Sequence, residues 1–332
     1  MKRGGPSLRC ALCHHMKQKY LVSLKDYSRA EIEEILDLAA RVKADPGAYA
    51  QALRGKTLAM IFQKPSTRTR VSFEVGMFEL GGHALYLGAN EIQLGRGETV
   101  ADTARVLSRY VDGIMARVFS HEDLVEMTRT ATVPIINGLS DLLHPVQALA
   151  DFFTLHERRR RLEGLTLAYV GDGNNVCHAL MLAAVKLGVA MRVAAPASYE
   201  PNQLIVKSAV REAQKLRTPP PVVTTDPREA VRDADAVYTD VWTSMGQEAE
   251  SDARREAFQG YMVTADLMAE AAPEAVFLHC LPAHRGEEVA AEVIDGPQSV
   301  VFDQAENRLH VQKALMILLM GDSAGPPSVL RA

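Results

Sequence analysis

Cysteine is scarce in this chain. Only Cys10, Cys13, Cys177 and Cys280 occur in 332 residues, too few and too scattered for a disulfide framework, and no secretory signal with a cleavable apolar segment precedes them. A reducing cytoplasm is the expected setting. Long apolar runs are missing as well: no segment approaches the roughly 20 residues that a membrane-spanning helix needs. Charge of one sign is also lacking, since 37 Lys and Arg against 41 Asp and Glu leave a formal net charge of -4. That balance gives no broad positive field to gather nucleic acid, so any anion site has to be assembled locally. The Gly-x-x-x-x-Gly-Lys-Ser/Thr loop of nucleotide triphosphate enzymes is absent too.

The length suits two domains of ordinary size with a cleft between them. Residues 1 to 25 contain Lys2, Arg3, Arg9, Lys17, Lys19 and Lys25 but no Asp or Glu, a bias that fits either a short targeting extension or a disordered leader; residues 1–19 are taken as the leader. Within it, Cys10-Ala11-Leu12-Cys13-His14 has the spacing of haem attachment, and with His15 it offers four zinc-type ligands in six residues, a cramped arrangement. Met16 is an alternative start of the functional protein.

Beyond the leader the sequence alternates. Ser28-Arg29-Ala30-Glu31 is a capping box, and Ile32, Ile35, Leu36, Ala39 and Val42 follow at helical spacing up to Asp45-Pro46-Gly47. Strand-like runs at 57–62, 84–87 and 113–118 are separated by helix-like stretches at 68–80 and from about 100. A longer helical segment runs from Pro145 to about Arg161, ending in four arginines. Further strand-like runs lie at 165–170, 189–194, 222–225, 236–239 and 276–279, and a final apolar helix at 304–320 is expected to be buried. This rhythm predicts an α/β fold of two domains, each a parallel sheet flanked by helices, joined by a cleft. The expected domains are 20–155, with helix 304–320 packing back on it, and 156–303. Ligands in such folds bind outside the carboxyl ends of the strands.

Polar clusters fall at those ends. Ser66-Thr67-Arg68-Thr69-Arg70 follows the first strand where a helix begins, so unpaired N–H groups, three hydroxyls and two guanidiniums together make a phosphate cradle; the plainer reading is a capped helix with exposed arginines. Arg117 closes the 113–118 run and faces the cleft or simply the surface. His144 and Gln147, three apart at a helix start, can point the same way, although a lone histidine is more often a structural hydrogen bonder. Gly171-Asp172-Gly173-Asn174-Asn175 starts like a dinucleotide fingerprint, but the third glycine position is Val176. The next strand ends Val193-Ala194-Ala195-Pro196 without a carboxylate for a ribose, which opposes a nicotinamide dehydrogenase. Asp240 at a strand end suits a cationic ammonium, and Ser244-Met245-Gly246 can close over a ligand; an Asp capping a loop beside Trp242 is the alternative. Cys280 beside His279 does not make a thiol–imidazole dyad, because neighbours in a strand point to opposite faces.

Phe62-Gln63-Lys64-Pro65-Ser66-Thr67-Arg68-Thr69-Arg70, His144-Pro145-Val146-Gln147 and His279-Cys280-Leu281-Pro282 occur in that order at strand ends, and from about residue 20 to 320 the chain resembles the aspartate and ornithine carbamoyltransferase family. The resemblance implies that Ser66, Thr67, Arg68 and Thr69 hold the phosphate of carbamoyl phosphate. It also implies that Arg117 touches phosphate and carbonyl oxygen, His144 the same carbonyl oxygen, and Gln147 the carbamoyl amide. Cys280, the Leu281 carbonyl and Arg308 complete that site, and Gln93 in Asn90-Glu91-Ile92-Gln93-Leu94-Gly95 reaches the phosphate of a neighbouring subunit, which implies a homotrimer or a multiple of trimers. Asn175, Asp240, Ser244 and Met245 bind the second substrate; the Ser-Met-Gly loop is the form found in the ornithine enzymes.

The reaction so implied is attack of ornithine's neutral δ-amine on carbamoyl phosphate through a tetrahedral intermediate, giving citrulline and phosphate. Arg117, His144, Cys280 and Asp240 are the catalytic set, the pH optimum is alkaline, and no cofactor, metal, nucleic acid or membrane is called for.

Overall fold

The computed structural model describes residues 17–94, 97–243 and 248–321. The Cys10, Cys13, His14 and His15 group and the Ser244-Met245-Gly246 loop lie outside the described residues. The capping box forms as read: Ser28 caps α1 (Arg29–Ala44), its Oγ accepting from the Glu31 N–H while the Glu31 carboxylate accepts from the Ser28 N–H at 2.8 Å. Ile32, Ile35, Leu36, Ala39 and Val42 of α1 are buried.

Four parallel strands make the first sheet: β1 (Thr57–Phe62), β2 (His83–Gly88), β3 (Gly113–Arg117) and β4 (Ile135–Leu139), in the order β2-β1-β3-β4. Their connections are α2 (Thr67–Glu79), α3 (Val100–Leu107) and α4 (His121–Thr130). After α5 (Pro145–Arg159) come β5 (Thr166–Val170), α6 (Asn175–Leu187), β6 (Ala190–Ala194), α7 (Gln203–Leu216), β7 (Val222–Thr224), α8 (Pro227–Val231) and β8 (Ala236–Thr239). Short helices α9 (Ser251–Ala257) and α10 (Ala265–Met268) lead to β9 (Val276–His279), and α11 (Ala291–Ile294) to α12 (Val301–Met320). The second sheet is parallel throughout, ordered β7-β6-β5-β8-β9.

β4 and α4 have no counterpart in the sequence reading. The polar Asn137 and the following Gly138 interrupt β4, yet Asn137 is fully buried because its amide donates to the Val22 carbonyl at 3.0 Å. The extra residue is Gly138, opposite the Ala116/Arg117 step of β3, where the register shifts; a Cβ on Gly138 would meet the Met115 sulfur at 2.4 Å. Such bulges bend the strand that carries them, here β4 opposite the end of β3 where Arg117 sits.

One apolar layer containing residues of α1, α5, α6 and α12 joins the two units, and separate clusters cover the far face of each sheet. α12 leaves the second sheet and returns against α1, α2 and α5. α5 runs through the 155–156 boundary read from the sequence and stops at Arg159, with Arg160 in a left-handed conformation at φ 62°. In each sheet the chain winds both ways from one central strand, so β1 and β3, and likewise β5 and β8, flank a topological switch point where ligands bind.

Candidate functional site

The two switch points face one another across a cleft of about 760 Å³, a volume that suits small metabolites. On the first sheet's side, α2 starts because the Ser66 Oγ accepts from the Thr69 N–H at 3.2 Å. The first N–H groups of α2 lack intrahelical acceptors, and Ser66, Thr67 and Arg68 line the cleft. Arg117 arrives from the end of β3 and Arg308 from α12; both are buried, and the Nε of each has no hydrogen-bond partner. Among the described residues neither guanidinium is paired with a carboxylate. Burial pulls Arg117 down to about 10, with Arg308 the next contributor, and burial likewise pulls Arg308 to about 10, with Arg68 adding repulsion. Three cations that disfavour one another's charge make a pocket whose natural occupant is an anion.

His144 sits at the N-cap of α5 without capping it; Pro145 at N1 needs no cap for its missing N–H. The ring is buried and its Nδ1 has no partner among the described residues. Burial, followed by Arg308 and Arg117, holds its proton affinity well below the usual histidine range, so the imidazole is neutral. One turn on, the Gln147 amide nitrogen donates to the Asp151 carboxylate at 2.7 Å, leaving its Oε1 buried and without a partner beside the cleft.

The opposite wall is arranged differently. Asp240 at the end of β8 is buried; one oxygen accepts from the Asn174 amide at 2.8 Å, and the other from the Cys280 thiol at 3.0 Å and the Val241 N–H. Burial, then Asp240, pushes the Cys280 thiol well above its ordinary range, so it stays protonated and donates. The His279 Nδ1 accepts from the Leu281 N–H at 2.8 Å, and its Nε2 faces the Glu288 carboxylate at 3.1 Å. That bond holds Leu281 in the left-handed conformation, φ 58°, as it enters the cleft lining. Asn175 opens α6 and donates across the cleft to the Ser140 carbonyl at 2.6 Å. Gly173 is glycine for close packing: its N–H donates to the Tyr199 carbonyl, and a Cβ would sit 2.2 Å from the Pro201 nitrogen.

Of the residues singled out in the sequence, Ser66, Thr67, Arg68, Arg117, His144, Gln147, Asn175, Asp240, Cys280, Leu281 and Arg308 come together around this cleft. Thr69 does not line it. It is fully buried, and its hydroxyl oxygen accepts from Arg308 at 2.8 Å. Arg70 turns away as well, stacked on Tyr86 at 3.8 Å and paired with Glu74, leaving one arginine of that motif in the cradle. Gln93 is exposed and lies outside its own chain's cleft, and Ser244 and Met245 fall outside the described residues. Sequence reading passed over Lys64, Thr243 and Arg255, which line the cleft, and Asn174, whose N-cap position after β5 was a usable signal. Among the described residues, Asp240, His279 and Cys280, and separately His284, Glu287 and Glu288, bring metal-type ligand atoms within 4.8 Å of one another. In the first group Asp240 and Cys280 are bonded to each other, and both ring nitrogens of His279 have protein partners.

A cation-lined, carboxylate-free wall facing a carboxylate-bearing wall, between two parallel α/β units, defines a group-transfer site: an anionic donor on one side and an aminated acceptor on the other. Residues 19–157 match the carbamoyl-P binding domain of the aspartate/ornithine carbamoyltransferases and residues 163–319 their Asp/Orn binding domain. The chain belongs to the aspartate/ornithine carbamoyltransferase family. It is 59% identical over 309 residues to the ornithine carbamoyltransferase of Symbiobacterium thermophilum, covering 92% of this chain and 99% of that one. It is 57% identical over 303 residues to that of Thermococcus kodakarensis, covering 91% and 96%. The solved ornithine carbamoyltransferase of Pyrococcus furiosus superposes with a TM-score of 0.87 at 56% identity, covering 90% of this chain and 96% of that one.

Proposed function

We propose that this protein is an ornithine carbamoyltransferase, transferring the carbamoyl group of carbamoyl phosphate to the δ-amine of L-ornithine. The observation that carries the reading is the trio Arg68, Arg117 and Arg308, two of them buried, gathered at a helix N-terminus without a carboxylate partner among the described residues. The first unit with α12 binds carbamoyl phosphate, and the second binds ornithine. The phosphate lies on the α2 N-terminus and Arg68. The carbonyl oxygen lies toward Arg117 and the neutral His144, and the carbamoyl NH₂ donates to the unpartnered Gln147 Oε1. Across the cleft, Asp240 takes the α-ammonium and Asn175 offers its second amide N–H to the α-carboxylate.

The uncharged δ-amine forms a bond to the carbamoyl carbon, the carbonyl π electrons move to oxygen, and Arg117 and His144 stabilise that oxyanion. Thr69 contributes through Arg308. When the intermediate collapses, the carbonyl re-forms, the carbon–oxygen bond to phosphate breaks, phosphate leaves with that electron pair against Arg68 and the α2 N–H groups, and the amine's extra proton passes to the departing phosphate. Oxyanion donors of this kind supply ~10² to 10³ in rate each.

A homotrimer is supported by two features of the outer surface. Gln93 stands exposed away from its own cleft, and α2 presents Val71, Val75 and Phe78 on one exposed face, Phe78 80% exposed. The cytoplasm is supported by Cys177 and Cys280, both free thiols inside the fold; among the described residues no helix is long and apolar enough to cross a membrane. The test is amine-dependent phosphate release from carbamoyl phosphate, with the carbamoylated product identified, as ornithine, putrescine and aspartate are offered in turn. Putrescine lacks the carboxylate and aspartate brings one beside Asp240, so ornithine has the highest specificity constant by at least about tenfold. Faster use of either rival overturns the reading.

A further inference from the structure

Resting on the reading above, we infer that Asp151, which does not reach the cleft, is a positioning residue that sets the direction of the Gln147 amide and thereby the carbamoyl site. An amide side chain has nearly the same shape with its oxygen and nitrogen exchanged, so its direction is decided by its partners. The Asp151 Oδ1 accepts from the Gln147 Nε2 at 2.7 Å and from the Gln304 Nε2 at 2.6 Å. Once ionised, above its titration near 7, the carboxylate only accepts, and so it admits the nitrogen end of each amide and turns both oxygens away. For Gln147 that leaves Oε1 beside the cleft, buried and without a protein partner, where an NH₂ group is required. For Gln304 it leaves Oε1 accepting from the His279 N–H at 2.9 Å, one residue before Cys280 and Leu281. A single carboxylate in the middle of α5 thus orders one contact to the donor directly and steadies the β9 turn through α12. Burial pushes Asp151 up to about 7, against the hydrogen bonds from Gln304 and Gln147. Arg308 of α12, Tyr238 of β8 and Cys280 after β9 are the charged and titratable groups that face it.

The experiment is a double-mutant cycle on the full-length protein, read as the KM for carbamoyl phosphate and the inhibition constant of inorganic phosphate. Asp151→Ala raises the carbamoyl phosphate KM by about tenfold, as losing the orientation of one buried polar contact implies. It leaves phosphate inhibition within about twofold, because phosphate uses Arg68 and the α2 N-terminus. In a Gln147→Ala background the same substitution adds almost nothing. Asp151→Asn keeps the shape of the site and reads the same contact where the alanine variant is unstable: about a threefold rise with Gln147 present and none without it. Equal effects in both backgrounds, or a parallel loss of phosphate inhibition, overturns the inference while leaving the carbamoyltransferase reading intact. A parent protein that does not use carbamoyl phosphate overturns both.

Discussion

On the first sheet's side of the cleft, Arg117, Arg308, His144 and Gln147 are all buried, and each keeps a polar atom without a protein partner. On the second sheet's side, Asp240 already has Asn174, Cys280 and the Val241 N–H as partners, and Asn175 is bonded to Ser140. Both walls are built alike, from strand ends at a switch point followed by a helix N-terminus. They differ in what has been left open. A buried polar atom without a partner costs about 1 to 3 kcal/mol, which the first wall sustains by having fully packed helices α5 and α12 beneath it and recovers when an anion arrives. On the second wall Asp240 and Asn175 already hold protein partners, so an amino acid has to share or compete for groups that are bonded before it arrives. The lesson is that the donor side is preorganised and the acceptor side is made on demand.

The comparison is broken most severely by Arg117→Ala, which should lower kcat/KM by ~10² to 10³ because a buried oxyanion donor is lost. Steady-state citrulline formation reads it, and a loss under threefold would show that the cationic wall is incidental. Asp240→Asn comes next: the ornithine KM should rise by about tenfold or more while the carbamoyl phosphate KM stays within about twofold, since only the second wall is touched. If both constants rise together, the walls are not separate.

A smaller effect concerns stability. Asp151 titrates at about 7 in the fold against 3.8 ordinarily, so the folded protein holds this proton more tightly than the unfolded chain. Stability that is present at pH 4 is therefore lost as pH rises toward 7, and Asp151→Asn escapes that loss. The melting temperature of the variant should exceed the parent's by about 2 °C or more at pH 8 and by less at pH 5; a gap that widens on acidification would contradict this sign. Smallest of all, deleting residues 1–15 should leave kcat and both KM values within about twofold, because the described residues that line both walls lie between 64 and 308. A loss of rate restored by zinc would assign Cys10, Cys13, His14 and His15 a role instead.

The walls themselves were legible in the sequence where the signal was local. The capping box at Ser28, the hydroxyl-rich start of α2 after β1, and Asp240 closing β8 each lie within a few residues of the turn that positions them. β4 was not legible, since Asn137 and Gly138 look like a turn until the Val22 carbonyl supplies a partner from 115 residues away. The partner of Thr69 is Arg308, 239 residues along, and that of Asp151 is Gln304, 153 along, so spacing alone could not recover either pair. The opposite fates of Arg68 and Arg70 were available: two residues apart on a helix, they cannot face the same way.

Calorimetric titration of each substrate into the free protein tests the central contrast most directly. Carbamoyl phosphate should bind the free protein with a resolvable heat, and ornithine should bind at least about tenfold more tightly once inorganic phosphate, which cannot react, occupies the first wall. Ornithine binding the free protein as tightly as the phosphate-loaded one, or carbamoyl phosphate failing to bind without ornithine, would contradict a preorganised donor side.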